Sequence, residues 1–303
     1  MKKLILGSLI LLLSTGLSAQ SNPAGHTGLA FLKIGIGARA VGMGEACTAA
    51  TNDATATYWN PAGLAQFKEV EVCFSHNQWF QDITHEFFAV AFSSGPGRLG
   101  LSFVSNNVGG IERRVKPSAE PLGILEAHDL ALGLSFARTY KQTLSLGFTI
   151  KWLYEKIYLD SAWGIAFDVG LIYDTSLLNG LKLALVTQNL GRMNKLKEEP
   201  ISLPKTIRAG LAYPLPGEIL GGTLLGVADV VQVLKGNFHL NLGTEYLFKQ
   251  KLAFRLGYQT GFEEKGLQGG LGMQLSRYRL DYGYVPFSSQ MGNSHRFSFS
   301  VRF

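Results

Sequence analysis

Residues 142–156 read QTLSLGFTIKWLYEK, and their alternation decides the fold. Leu144, Leu146, Phe148, Ile150, Trp152 and Tyr154 fall on one side of an extended chain; Ser145, Gly147, Thr149, Lys151 and Glu155 fall on the other. A period of two is a strand period, because successive side chains of a strand point to opposite faces. Strands of soluble sheets average about 5 to 6 residues and turn their bulky face inward. A strand that crosses an outer membrane needs about 9 to 11 residues, and it turns the bulky face to lipid and the small or polar face to the lumen of a barrel. Residues 161–174, SAWGIAFDVGLIYD, repeat the pattern, with Trp163, Ile165, Phe167, Val169, Leu171 and Tyr173 opposite Gly164, Ala166, Asp168 and Gly170. Length and aromatic content favour the membrane barrel.

Working outward from these two segments, alternation marks fourteen strands, near 69–75, 86–93, 98–105, 128–137, 143–154, 162–173, 181–188, 206–213, 222–230, 237–247, 251–259, 267–275, 277–284 and 295–303. The connections after even strands are mostly tight: SGPG at 94–97, TYK near 140, NG at 179–180, KQ at 249–250 and Ser276. Those after odd strands include the long segments 106–127, 189–205, 260–266 and 285–294. Short periplasmic turns alternating with longer outer loops are the signature of an outer-membrane barrel, and an even strand number returns both termini to the periplasm. That topology sets Trp152, Tyr154, Trp163, Tyr258 and Tyr284 at the outer rim and Tyr173, Tyr213, Tyr246, Phe248 and Phe303 at the inner one. The expected fold is therefore all-β: a 14-stranded antiparallel transmembrane barrel, located in a Gram-negative-type outer membrane.

The N-terminus, MKKLILGSLILLLSTGLSAQ, has two lysines, an apolar stretch from Leu4 to Leu13 and small residues up to Ala19. It reads as a secretory signal peptide over 1–19, with the mature chain starting at Gln20. Beyond it no apolar run approaches the ~20 residues of a spanning helix, so membrane insertion must come from strands. Loss of Lys2 and Lys3 takes the formal charge from +6 to +4. With no basic run, nucleic acid is excluded as a partner class. Cys47 and Cys73 do not make a disulfide framework and are expected as free thiols.

Residues 20–67 lack long alternation. They are small, rich in glycine and alanine, and weakly helical around 38–50 and 53–58. Within LKIGIGARAVGMGEA at 32–46, Gly35, Gly37 and Ala40 satisfy the spacing of a dinucleotide-binding fingerprint, with Asp53 near the place of a ribose-binding acid. That fingerprint has meaning only inside a βαβ unit, and none follows. The glycines are expected instead to let plug backbone pass close to the wall or turn sharply. GARAVGMGEA, Asn52-Asp53 and YWNPAGLA at 58–65 resemble the N-terminal plug of the FadL-like outer-membrane barrels, and more closely the PorV/PorQ family of the type IX secretion system. The resemblance continues through SHNQWFQDITHEF at 75–87, the pair Lys151 and Glu155, AFDVGLIY at 166–173, QNLG at 188–191, LNLGTEY at 240–246, LDYGYVPF at 280–287 and SHRFSFSVRF at the end. It implies a fourteen-stranded barrel with a small, partly helical plug. The expected units are a signal peptide (1–19), a plug (20–67) and a barrel (68–303).

Among plug residues, Gly42, Gly44, Asp53, Asn60, Pro61 and Gly63 are expected to matter for structure or gating, with Asn60-Pro61-Ala62-Gly63 read as a turn. Lys151, Glu155, Asp168, Arg255, Arg279 and Asp281, together with Asp229, His239 and Glu245, fall on the lumen face. They are expected to form an ion network that keeps a polar interior satisfied, with a substrate-binding constellation as the alternative. The terminal Phe303, on a strand alternating Phe297, Phe299 and Val301 against arginine and serine, resembles the signal that barrels present to their assembly machinery. The histidines show no metal-binding spacing. Ser135 lies mid-strand and not at a hydrolase elbow, and no cofactor or enzymatic activity is expected.

Two functions follow as expectations. The family resemblance implies a secretion component that associates with the type IX translocon barrel, with the C-terminal domains of cargo, or with the attachment complex. Its outer segments 106–127 and 189–205 carry Arg113, Arg114, Lys116, Lys195 and Glu198 as contact candidates. The alternative is passive transport of hydrophobic small molecules, as in FadL-like relatives, through space beside the plug near Gly100, Ala131 and Gly133.

Overall fold

Each of the fourteen expected segments forms a strand. In the computed structural model these are β1 (Glu71–Gln78), β2 (Ile83–Ser94), β3 (Gly97–Arg113), β4 (Gly123–Tyr140), β5 (Leu144–Ile157), β6 (Asp160–Asp174) and β7 (Lys182–Met193). The second half comprises β8 (Thr206–Pro214), β9 (Gly222–Val233), β10 (Phe238–Phe248), β11 (Leu252–Gln259), β12 (Leu267–Leu275), β13 (Tyr278–Pro286) and β14 (Asn293–Arg302). The structure describes residues 27–303 apart from 80–82, 118, 176, 235, 263–264 and 289–291. The expected signal peptide lies outside the described residues.

Every strand pairs antiparallel with its sequence neighbours, and β14 closes onto β1 with Phe299 opposite Phe74 and Val301 opposite Val72. The wall is inverted relative to a soluble protein. Phe148 and Ile150 are 45% and 41% exposed on the outside, while Thr149 between them is 0% exposed. Inside, the Thr149 hydroxyl meets that of Ser135 at 2.7 Å. An apolar exterior around a polar interior is stable only where the surrounding solvent is hydrocarbon. Trp152, Trp163 and Tyr258 project outward near one rim, Tyr173 and Phe303 near the other.

One end of the barrel carries the tight turns and the other the loops. At the turn end Lys141-Gln142 and Lys249-Gln250 have consecutive positive φ within the three-residue connections from Tyr140 to Leu144 and from Phe248 to Leu252, left-handed backbone that follows the twist of tight hairpins. Two expected loops differ from expectation. Much of 106–127 is strand, because the ladder resumes beyond an irregularity between Val108 and Ile111 and pairs Ile111 with Leu125 and Arg113 with Gly123. Gly110, with φ of 69°, supplies the irregularity, and the alternation loses its phase there. Likewise β7 continues to Met193 past Asn189, whose φ is 61°, opposite a register shift between Phe167 and Val169. The wall is consequently uneven: β3 and β4 have 17 and 18 residues, β11 and β12 only 8 and 9.

The plug traverses the lumen. Gly28 donates to the Ser202 carbonyl at the loop end (3.0 Å). The chain then makes a 3₁₀ turn (Ala30–Lys33) and the short helix α1 (Ala38–Gly42). It reaches the turn end where Asn52 accepts from Arg302. From there it rises through α2 (Ala56–Trp59), and a second 3₁₀ turn (Pro61–Gln66) returns it to the start of β1. The first described plug residues therefore sit at the end opposite Phe303.

Candidate functional site

The plug is seated on glycine at two sides of the wall. On one side α1 and the following turn lie against β10–β13. A Cβ on Gly243 would collide with the Met43 carbonyl and one on Gly257 with the Gly44 amide; a Cβ on Gly283 would stand 3.0 Å from the Ala38 carbonyl oxygen. Gly44 also needs glycine for its φ of 67°. On the other side, a Cβ on Gly147 would strike Pro61 and Ala62, and one on Gly170 would strike Asn60 Oδ1. Fully buried Asn60 donates to the carbonyls of Thr48 (2.9 Å) and Leu171 (3.2 Å) and accepts from the Ala62 amide (3.1 Å). It thereby caps the 3₁₀ turn that Pro61 begins, as the turn reading expects. Gly63 leaves room for Thr51, whose hydroxyl a Cβ would approach to 2.5 Å.

Below this seat, toward the turn end, plug and wall share an ion network. Arg39 of α1 reaches Glu245 (2.8 Å), and Arg255 joins Glu245 (2.6 Å) to Asp281 (2.8 Å). Arg279 pairs with Asp281 (2.7 Å) and faces Asp53 (3.6 Å), which Arg39 also faces at 3.7 Å. Burial alone would raise the Asp53 carboxyl, but Arg279 and Arg39 outweigh it and hold it below the usual aspartate range. The expected lumen residues Arg255, Arg279 and Asp281 thus come together with Asp53 of the plug. Arg39, which bridges the two, is invisible as a partner in the sequence because its carboxylate is supplied 206 positions away.

Lys151, Glu155 and Asp168 do not form one cluster. Lys151 pairs with Asp168 (2.8 Å) across β5 and β6 and donates to Asn189, while Glu155 takes no part in this pair. Asp168 also accepts from the Asn189 amide (2.8 Å), and the Asn189 side chain donates to the Pro204 carbonyl (3.0 Å). The bulge in β7 brings the Asn189 amide and side chain to this pair. Glu155 lies nearer the loop end, opposite Asp129 across the β4–β5 ladder. Phe303 is exposed at the turn end, its amide bonded to the Val70 carbonyl (2.9 Å). Cys47 and Cys73 are buried and unbonded.

Above the plug, toward the loop end, a cavity of about 320 Å³ remains. The plug contributes Leu32, Lys33, Gly35, Glu45, Tyr58 and Trp59; the wall contributes Gln188, Arg208, Val231, His239, Asn241 and Gln259, among others. This size lies within the range of small-molecule pockets. Arg208 stacks on Trp59 (4.8 Å) and pairs with Asp229 (3.4 Å), which also accepts from the Thr48 hydroxyl (2.6 Å). His239 is stacked parallel on Phe262 at 4.0 Å, and Lys265 lies over the same ring at 4.2 Å while facing Glu45 (3.7 Å). Phe262 is therefore tied to the wall and Lys265 to the plug. His239 and Asp229 belong to the expected lumen set, whereas Glu45, Arg208, Tyr58, Trp59 and Lys265 were not singled out. The only sequence signal at Glu45 is its place within the glycine-rich run.

Residues 14–114 match a family model described as "Uncharacterised protein family (UPF0164)", which spans the plug and β1 to β3. No curated protein matches. Three solved structures share the fold: the CymD monoaromatic hydrocarbon channel, the toluene transporter TodX of P. putida, and a FadL homologue of Pseudomonas aeruginosa. CymD gives a TM-score of 0.66 at 13% identity over 89% of this chain and 98% of that one. TodX gives 0.62 at 11% over 89% and 99%. The FadL homologue gives 0.51 at 12% over 88% and 97%. The chain thus shares its fold, a closed 14-stranded antiparallel barrel, with these outer-membrane channels. The likeness extends over nearly the full length of each neighbour.

Proposed function

We propose that the protein is a non-enzymatic outer-membrane channel that admits small, partly apolar molecules from the loop end into the cavity above the plug. The observation that carries this reading is that cavity of about 320 Å³, bounded below by a wedged plug and enclosed by a wall whose outer face suits lipid. Neighbours of the same fold named as monoaromatic hydrocarbon and toluene channels support it. In this reading the turn end, Phe303 and the β1 start face the periplasm, the loop end faces outward, and Phe303 is presented to the barrel-assembly machinery. The test is uptake by proteoliposomes of toluene, benzoate and a labelled long-chain acid, against vesicles lacking protein. Rates equal to the protein-free rate for all three would overturn the reading.

A second reading, a secretion component resembling PorV or PorQ, is favoured by the projecting hairpins. Val115, Leu122, Ile124 and Leu159 are exposed apolar groups at the tips of β3–β4 and β5–β6, beyond the length a bilayer needs. Their partners would be the type IX translocon barrel, cargo C-terminal domains or the attachment complex. Deletion of the gene followed by a census of surface-attached and secreted proteins separates the two: cargo export lost with uptake retained favours secretion, and the converse favours the channel.

A further inference from the structure

Glu45 is a buried carboxylate held with left-handed backbone (φ 59°), a conformation that costs a non-glycine residue free energy. It lines the cavity and is outnumbered there. Lys265 faces its carboxylate at 3.7 Å, and Arg208 donates to its carbonyl at 2.6 Å. Arg296, 1% exposed, donates to the Gly35 carbonyl beside it and has no carboxylate in ion-pair contact among the described residues. Lys33 at the rim has Thr27 as hydrogen-bond partner (3.4 Å) and likewise no ion pair among the described residues. Lys33 and Arg208 thus line the cavity itself, and Lys265 and Arg296 stand behind Glu45, against two carboxylates, Glu45 on the lining and Asp229 behind Arg208. Burial pushes the Glu45 carboxyl up, and Lys265, Arg296 and Arg208 outweigh this and hold it below the usual glutamate range. A cation excess in a water-poor site is stabilised by an added anion. Asn241, 2% exposed with its side-chain oxygen unpartnered, adds a further open polar position on the lining.

Resting on the channel reading, we infer that this cavity selects small organic carboxylates with an apolar body, and that Glu45 is the residue that sets how tightly they bind. The ligand's carboxylate lies between Lys33 and the cations around Glu45; its apolar body lies against Leu32, Val231 and the Trp59 and Phe262 rings. Glu45 tempers the cation excess, so a ligand is held and then released.

The test uses the full chain in nanodiscs and compares benzoate with its neutral isostere benzamide by equilibrium dialysis at neutral pH. Benzoate is expected to bind at least about tenfold tighter than benzamide, a difference of one charge pair in a partly buried site. Glu45→Gln is expected to tighten benzoate by about tenfold and leave benzamide unchanged. Lys33→Gln, at an exposed position that leaves the fold intact, is expected to weaken benzoate about threefold. Equal affinity for the two probes in the parent protein, or an unchanged ratio in both variants, would overturn the inference. Uptake of benzamide without preference for benzoate leaves the channel reading standing while this inference fails; absence of uptake of any probe removes both.

Discussion

Gly42 of the plug and Gly270 of β12 touch backbone to backbone: a Cβ on Gly42 would stand 2.9 Å from the Gly270 Cα, and one on Gly270 would stand 3.0 Å from the Gly42 Cα. Neither backbone can retreat, since one belongs to a closed hydrogen-bonded wall and the other to a helix whose next residues rest on Gly243 and Gly257. A single methyl group here has to move the plug.

Gly42→Ala and Gly270→Ala are each expected to destabilise the barrel by about 1 to 3 kcal/mol, the usual cost of overfilling a packed site. Gly109→Ala, where an added Cβ meets nothing within 4 Å, is the neutral control. Heat-dependent migration on denaturing gels measures the effect, and single-channel conductance measures whether the displaced plug leaks. Equal behaviour of all three variants would show that the plug is loosely seated.

The bridge through Arg39 and Arg255 gives a second expectation. Arg255 is held between Glu245 and Asp281 with its side chain 2% exposed, so its removal leaves two buried carboxylates with weakened compensation. Arg255→Ala is expected to cost about 3 kcal/mol or more. Pairing it with Glu245→Ala in a double-mutant cycle is expected to recover part of that loss, because the orphaned charge is removed with its partner. Strict additivity of the two changes would mean that they do not interact.

The strands were legible because the lipid face and the lumen face differ in bulk at every second residue, as in Phe148, Thr149 and Ile150. Legibility ended where backbone irregularity reversed the phase. Gly109-Gly110 and Asn189 carry no alternation, so the upper parts of β3, β4 and β7 read as loop. The plug glycines were legible as close approaches, but not the wall glycines they meet, since Gly243, Gly257, Gly270 and Gly283 are brought into one panel by register across four strands. The cavity lies elsewhere than expected: near Gly100 and Ala131 the plug fills the space, a Cβ on Gly100 striking Thr57 and Leu64, and Ala131 is 3% exposed. Glu45, Arg208 and Lys265 lie on a plug turn, β8 and a loop, and only the path of the plug through the lumen joins them.

Inversion of the wall makes its own prediction. In a protein surrounded by water, changing a 41% exposed isoleucine to arginine is nearly neutral. For a barrel in lipid, Ile150→Arg is expected to cost about 2 to 4 kcal/mol, because a guanidinium at mid-wall must sit in hydrocarbon. Folding titrations into phospholipid vesicles measure this, with Lys156→Arg, on the exposed outer end of β5, as the control. A neutral Ile150→Arg would contradict the lipid-facing assignment of this surface.

Acid should loosen the plug through Asp53. Its carboxyl is buried, yet Arg279 and Arg39 hold its pKa below the unfolded value. A carboxylate depressed on folding contributes stability that is complete above the unfolded aspartate pKa and is lost as pH falls through the folded one. The contribution of Asp53, read as the difference in heat-modification midpoint between the parent and Asp53→Asn, is therefore expected to be constant from pH 7 down to about 5 and to shrink as pH drops below about 4. Asp53→Asn is expected to lower the midpoint at pH 7, since Arg279 and Arg39 lose a shared counter-charge, and to flatten the decline at acid pH. Glu45, depressed in the same direction by Lys265 and its neighbours, keeps part of the slope in that variant. If Asp53→Asn is as stable as the parent at pH 7 and keeps the full acid slope, the plug is held by its glycine seat alone and the ion network contributes nothing to it.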